Sequence, residues 1–257
     1  MDNSYIVAYE GGSSGRFIGY MLWALLSNST EDFQITEENS AHFYDFALGV
    51  DFNDVSSNAS NVYEEITFRD DVSFKILRTH TFPKIDIISK KFPNTKIIVI
   101  SFTEKDAMEV MGNTVYKNWL SETSLNDPKS KPTLEKNIRR VFKRNILKEN
   151  LTLDQIRMII EDLVYWDVLQ TTHLEYISPF LNPTISHPNI LIIPYHELYL
   201  KNDDGEYVVL KKLEDLTNTK ANIITQKNYE KYVKGRDIFI AKKMPWLLKN
   251  DTEKPNN

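Results

Sequence analysis

The chain of 257 residues has no cysteine. That removes disulfides, thiolate metal sites and cysteine nucleophiles together, and leaves stability to packing and hydrogen bonding. Lysine is absent from the first 74 residues, Lys75 being the first. A Gly-Lys-Ser/Thr phosphate loop is therefore missing, and with it the lysine and magnesium-binding hydroxyl of ordinary ATP or GTP hydrolysis. Positive charge is not in excess: 31 Lys and Arg stand against 36 Asp and Glu, a net charge of −5. That balance argues against a protein that coats nucleic acid. No apolar run approaches the roughly 18 residues of a membrane span, no pair among the five histidines has metal-site spacing, and no internal repeat is present. The expectation is one soluble, intracellular, cytoplasmic α/β domain over residues 1–250, with an insertion at about residues 30–72 and a polar tail over residues 251–257. The four N-x-S/T sequons, at Asn28, Asn58, Asn150 and Asn250, carry no meaning in that setting.

What is present is concentrated at the start. Residues 5–22 read YIVAYEGGSSGRFIGYML: an apolar strand, a glycine-serine turn, and a helix that begins near Arg16. Such a turn aims the first N–H groups of the helix at whatever lies in the loop, and the helix dipole favours an anion there. Gly11, Gly12 and Gly15 permit close approach and positive φ, Ser13 and Ser14 offer hydroxyls, and Arg16 offers a fixed positive fork. The expected ligand is a phosphate or sulfate held by Gly12, Ser13, Ser14, Gly15, Arg16 and the backbone of Phe17. The bland alternative is a tight connection with a serine cap.

Four short β-rich runs, at residues 5–9, 74–79, 96–102 and 189–194, each precede a helical or turn-rich segment. Near-continuous apolar runs such as IIVI and ILII suit strands buried on both faces of a parallel sheet covered by helices. Residues 30–71 carry many carboxylates, one arginine and no period, and read as a mobile excursion over the sheet. Residues 121–132 read as a second loop. Leu134, Ile138, Val141, Phe142 and Ile146 recur at helical spacing among Lys136, Arg139, Arg140, Lys143 and Arg144, a basic amphipathic helix, and a longer helix is expected from Thr152 to about Tyr176. Residues 200–210 read as a hairpin, and residues 225–249 as mostly helical. Trp119, Trp166 and Trp246 are expected to pack.

Open parallel sheets bind ligands at the carboxyl ends of their strands. That rule gathers the glycine-serine turn, Arg78-Thr79-His80 and residues 101–105 on one rim. His80 is the one histidine expected there, and a neutral imidazole at that place can remove a proton from an attacking hydroxyl; the alternative is a hydrogen-bonded structural histidine. His173, His187 and His196 read as packing, surface or capping residues, and His42 falls in the acidic excursion.

These segments resemble the sulfotransferases that use 3′-phosphoadenosine 5′-phosphosulfate. YEGGSSGRFIGYML is similar to their phosphosulfate loop, with Ser14-Gly15 on its Ser-Gly pair. ILRTHTFP is similar to their Lys-Thr-His-Leu-Pro segment, which puts His80 on the catalytic base. KIIVISFTEKDAMEV, residues 96–110, is similar to the strand and helix of the 3′-phosphate site, with Lys105 retained, and NILIIPYHEL to the later strand ending in Tyr-Glu-Asp-Leu. The C-terminal Arg-Lys-Gly motif is matched by Val233-Lys234-Gly235, followed by Arg236. The resemblance implies an α/β three-layer sandwich of P-loop NTPase-like fold, a nucleotide phosphosulfate donor, no metal, and a small-molecule, glycan or protein acceptor with a hydroxyl or amine. His80 and Arg16 would be catalytic, and Lys105, Lys234 and Gly235 would join the loop in binding donor. Ser13 stands where the family has its loop lysine, and Phe102 and Val110 stand on the arginine and serine that bind the 3′-phosphate. Two other readings stay open: a silent anion- or nucleotide-binding platform, and a nucleotide kinase-like protein.

Overall fold

The computed structural model describes residues 3–32, 48–114, 179–244 and 247. Its centre is a four-stranded parallel sheet of β1 (Ser4–Ala8), β4 (Lys75–Thr79), β5 (Lys96–Ser101) and β6 (Ile190–Pro194), in the order β4-β1-β5-β6. Ile6 pairs with Leu77 on one side and Ile97 on the other, and Val99 pairs with Ile192. Every residue of β1 and β4 is buried, as strands covered on both faces should be, and in β4 that burial includes Lys75, Arg78 and Thr79. The four strands expected from sequence are thus present, each within a residue or two of its expected bounds, and helices flank them: the chain is an α/β protein.

Helix α1 (Gly15–Leu26) follows β1 and packs on β4. Two later helices pack against it, α5 (Val208–Thr217) and α6 (Ile223–Lys243). Asn222 starts α6 by accepting a hydrogen bond from the Thr225 N–H at 2.9 Å, an ordinary N-cap. α3 (Ile85–Lys91) and α4 (Glu104–Thr114) follow β4 and β5. The core centres on fully buried aromatics, among them Tyr5, Phe17, Tyr20, Phe102, Tyr195 and Tyr229. Each contributes about 1.5–3 kcal/mol by leaving water.

Two readings of the sequence need correction. The described part of the acidic excursion, residues 48–71, is packed rather than loose. Leu48 exchanges both backbone hydrogen bonds with Ile76 along β4, and β2 (Val50–Asp51), α2 (Val62–Glu65) and β3 (Thr67–Phe68) follow. Val62, Tyr63 and Ile66 are fully buried. Elements of two to four residues are too short to leave a period in the sequence, so their anchors read as scattered. The expected hairpin at 200–210 shrinks to one bridge, Lys201 to Tyr207. Its second arm is the start of α5, whose Val209, Leu210 and Leu213 are buried at helical spacing. The helix expected at 225–249 is α6, beginning at Ile223 and ending at Lys243.

The loop at 121–132, the basic helix around Arg139, the long helix from Thr152, His42, His173, Trp119, Trp166, Trp246 and the tail lie outside the described residues. No helix among the described residues is long and apolar enough to cross a membrane.

Candidate functional site

Because Ala8 pairs with Thr79, the residues that follow, Tyr9 and His80, leave adjacent strands side by side. The Tyr9 N–H still donates to the Thr79 carbonyl at 3.0 Å, and beyond it the chain turns through Glu10, Gly11, Gly12, Ser13 and Ser14. Ser13 N–H closes the turn on the Glu10 carbonyl at 3.1 Å, and Gly12 takes φ 85°. Ser14 also adopts a left-handed conformation, φ 68°, which costs a serine about 1–2 kcal/mol. Of the two reasons expected for Gly15, close approach holds and positive φ does not: a Cβ there would lie 1.9 Å from Cγ of the Tyr9 ring.

The serine hydroxyls are already in use. Ser13, fully buried, donates its hydroxyl to the Glu10 carbonyl at 2.7 Å. Ser14 Oγ receives the Tyr232 hydroxyl and lies 3.2 Å from that of Tyr199, and it makes no side-chain cap for α1. The first intrahelical bond runs from Ile18 N–H to the Ser14 carbonyl, so the N–H groups of Gly15, Arg16 and Phe17 precede the helical ladder. Phe17 itself is a packing residue, stacked on Tyr232 at 3.6 Å.

His80 is held from both chain ends of the rim. Its backbone N–H donates to Asn58 Oδ1 at 3.0 Å, and Thr81 Oγ1 donates to the Ala59 carbonyl at 3.0 Å, so the packed part of the excursion fixes this segment. The ring lies edge-on to Tyr9, 4.4 Å between centroids, with Nδ1 2.9 Å from the Tyr9 carbonyl oxygen. A carbonyl only accepts, so Nδ1 carries the proton and Nε2 holds the lone pair. Burial pushes the imidazole pKa down; the Tyr9 carbonyl works against that, and the charges of Arg16 and Arg78 add to it. His80 is therefore neutral at neutral pH, beside the loop, with its basic nitrogen defined.

On the far side of the loop lies a set of residues that sequence reasoning missed. Tyr195 and Tyr199 sit on a 3-10 helix, Tyr195–Tyr199, directly after β6. Tyr199 donates to Tyr195 Oη at 3.0 Å, and Tyr195 donates to Glu109 Oε1 at 2.7 Å. Ser14 consequently donates to Tyr199, and the protons run one way: Tyr232 to Ser14 to Tyr199 to Tyr195 to the Glu109 carboxylate. Burial raises both Tyr195 and Tyr199 well above the ordinary phenol value and pushes Tyr232 up to about 12, so the order persists at neutral pH. Arg236 forks onto Glu109 through Nε, 2.8 Å from Oε1, and Nη2, and its guanidinium lies 4.1 Å from the Tyr199 ring centroid. Asn113 binds the network to the loop, donating to Tyr195 Oη at 2.9 Å and to the Gly12 carbonyl at 3.3 Å. A tyrosine placed just beyond the carboxyl end of β6 was the available signal.

The remaining site candidates divide. Lys105 belongs to α4, but its side chain is outside the described residues. Lys234 is exposed and pairs with Glu230 one turn back at 3.3 Å, and Gly235 follows it; the α6 residues that reach the loop network are Tyr232 and Arg236. Phe102 and Val110 are core residues, 1% and 0% exposed, and neither can touch a phosphate. His196 shares the functional rim, contrary to the expectation that His80 is alone there. β6 stops at Pro194, which has no N–H to continue the ladder, and the 3-10 helix carries His196 onto the edge, with Nδ1 3.3 Å from Asp106 Oδ2. His187 takes a turn role, accepting from Asn189 N–H and meeting Ser89 Oγ. A cleft of about 380 Å³ opens between the 3-10 helix, α4 and α6, lined by Asp106, Glu109, Tyr195, His196, Tyr199, Leu200, Val233, Arg236 and Asp237.

Comparison of the chain with family models, with curated proteins and with solved structures gives no match. The functional reading rests on the chemistry of this rim.

Proposed function

We propose that the chain is a sulfotransferase-like enzyme of P-loop NTPase-like fold, moving a sulfuryl group from a nucleotide donor to a hydroxyl or amine. The observation that carries this reading is the pairing of His80 with the loop: an imidazole whose tautomer is fixed by the Tyr9 carbonyl, against a turn whose helix has no side-chain cap. The family's donor fits this site in one part only. Its oxyanion end suits a helix start, where the first N–H groups of α1 lead and Arg16 sits in the first turn. Its 3′-phosphate end does not fit, since the positions that would hold it, Phe102 and Val110, are buried apolar side chains.

A bound phosphosulfate supplies a sulfuryl group with a good leaving phosphate. His80 Nε2 removes the acceptor proton as the new S–O or S–N bond forms, and the electron pair of the breaking S–O bond departs with the phosphate. Arg16 and the first N–H groups of α1 stabilise the charge that develops on the bridging oxygen. Removing one such donor costs about 3–4 kcal/mol, or roughly 100- to 1,000-fold in rate. Arg16→Ala and His80→Ala should each lower transfer by that order in a radiolabelled-sulfate assay, with circular dichroism unchanged. Undiminished transfer in both variants would overturn the assignment.

A silent oxyanion-binding platform is the second reading. Ser13, fully buried with its hydroxyl on Glu10, is the observation that favours it, because no loop side chain supplies the charge that the family places there. That platform would bind sulfate or nucleotide with no transfer, and neither variant would then change any turnover.

A further inference from the structure

The flank of the loop opposite His80 is closed to anions by its own carboxylates. Glu109 presents two oxygens to Arg236 in the fork geometry that a phosphate would use, so Nε and Nη2 are satisfied from within the chain. Nη1 donates to Asp237 at 2.9 Å. Three of the five guanidinium N–H donors, including the whole Nε–Nη2 fork, are engaged by carboxylates of the chain itself. Glu109 is itself held by the Tyr195 hydroxyl, and its side chain is only 12% exposed. Asp106 adds a further carboxylate on the same cleft, its Oδ2 fixed by the Thr103 N–H and hydroxyl, both at 2.9 Å.

We infer that Glu109 is a specificity residue that excludes a second phosphate from the ligand held by the loop, so that the donor is a nucleoside 5′-phosphosulfate with a free 3′-hydroxyl. This rests on the sulfuryl-transfer reading above and narrows its donor. Three hydrogen bonds, through Tyr195 and Tyr199, link Ser14 to Glu109. The cleft that opens at the Glu109 end of this relay carries Asp106, Glu109 and Asp237 against one arginine, and we place there the sugar of a nucleotide whose 5′ oxyanion lies in the loop. A 3′-phosphate there has to displace Glu109 from Arg236, or share the cleft with three carboxylates whose charge one arginine only partly offsets. A 3′-hydroxyl meets neither obstacle and can donate to a carboxylate.

The test is calorimetric titration of the full chain with adenosine 5′-phosphate and with adenosine 3′,5′-bisphosphate, and the readout is the ratio of the two affinities within each protein. Wild type should bind the monophosphate at least about tenfold more tightly, a difference of roughly 1.4 kcal/mol. Glu109→Gln, which removes a charge and one of the two oxygens that Arg236 holds, should bring the ratio to about one or invert it. Asp237→Asn, at an exposed position outside the phenol chain, should reduce the ratio about two- to threefold, and it carries the test if Glu109→Gln does not fold. Equal or tighter binding of the bisphosphate by wild type overturns the inference and leaves the transfer reading intact. A ratio unmoved in the folded variants overturns the role of these carboxylates. Failure of wild type to bind either nucleotide overturns both the inference and the reading beneath it.

Discussion

On one flank of the glycine-serine loop stand His80, Arg16 and Arg78; on the other stand Glu109, Arg236 and a run of buried phenols. Both flanks touch the same few residues, since His80 binds the Tyr9 carbonyl and the phenol chain passes through Ser14. Their hydrogen bonds are arranged differently. On the first flank one ring nitrogen is tied and the other keeps its lone pair. On the second, each hydroxyl proton is directed to a defined acceptor and the chain ends on a carboxylate neutralised by a forked arginine. The first arrangement suits proton transfer, which needs a basic atom in reach. The second suits rigidity, since a polar network buried in low dielectric specifies one geometry when its members are satisfied. The loop is therefore held by one flank and served by the other.

Three substitutions or conditions sharpen this contrast, beyond the Arg16 and His80 variants. The largest effect on stability is expected from Gly15→Ala, where the new methyl would collide with the Tyr9 ring, itself wedged against His80. Overpacking of this kind costs about 1–3 kcal/mol, here at the upper end because backbone and ring must both move. Differential scanning calorimetry should show a fall of about 6–12 °C. An unchanged transition would break the link between the two flanks at its centre.

Tyr232→Phe removes a single hydrogen bond, on Ser14, and keeps the stack on Phe17. It should cost about 1 kcal/mol, or roughly 2–4 °C, while sulfate affinity falls as Ser14 loses the bond that offsets its left-handed strain. A loss of stability without loss of affinity would make the phenol flank purely structural.

The smallest effect is the pH dependence. Burial sets the folded His80 pKa below its ordinary 6.5. Above that value the imidazole is neutral both folded and unfolded, and the native state loses nothing. As pH falls below it the unfolded chain takes up a proton that the native chain refuses, so stability drops until the folded pKa is passed. Urea titrations of wild type and His80→Gln should diverge only on the acid side, and transfer should share that acid limb. Parallel curves would place the histidine in solvent.

Much of this was legible in the sequence, and the boundary is physical. The parallel strands could be read because Ile97 to Ile100 and Ile190 to Ile193 are continuous apolar runs, and the rim followed from their carboxyl ends. His80 followed from its place after Thr79. The supports of His80 did not, because Asn58 and Ala59 hold its segment from a turn between β2 and α2, where no period exists to be read. Glu109, Tyr195 and the Tyr232–Arg236 turn of α6 are far apart in the chain, and nothing local in any of them announces that they join one network with Ser14. The Ser14 hydroxyl looked like a ligand donor for the same reason, since its partners, Tyr199 and Tyr232, are tertiary facts, whereas the Ser13 hydroxyl closes on Glu10 within the turn itself.

The most direct measurement is a two-dimensional amide NMR titration of the labelled chain with sodium sulfate at fixed ionic strength, following Gly15, Arg16, Phe17 and the His80 ring. The account expects saturable shifts confined to those amides and to His80 Nε2, with the Gly15 to Phe17 response lost in Arg16→Ala. Non-saturating shifts, or shifts centred on α6 while the start of α1 stays silent, would contradict it.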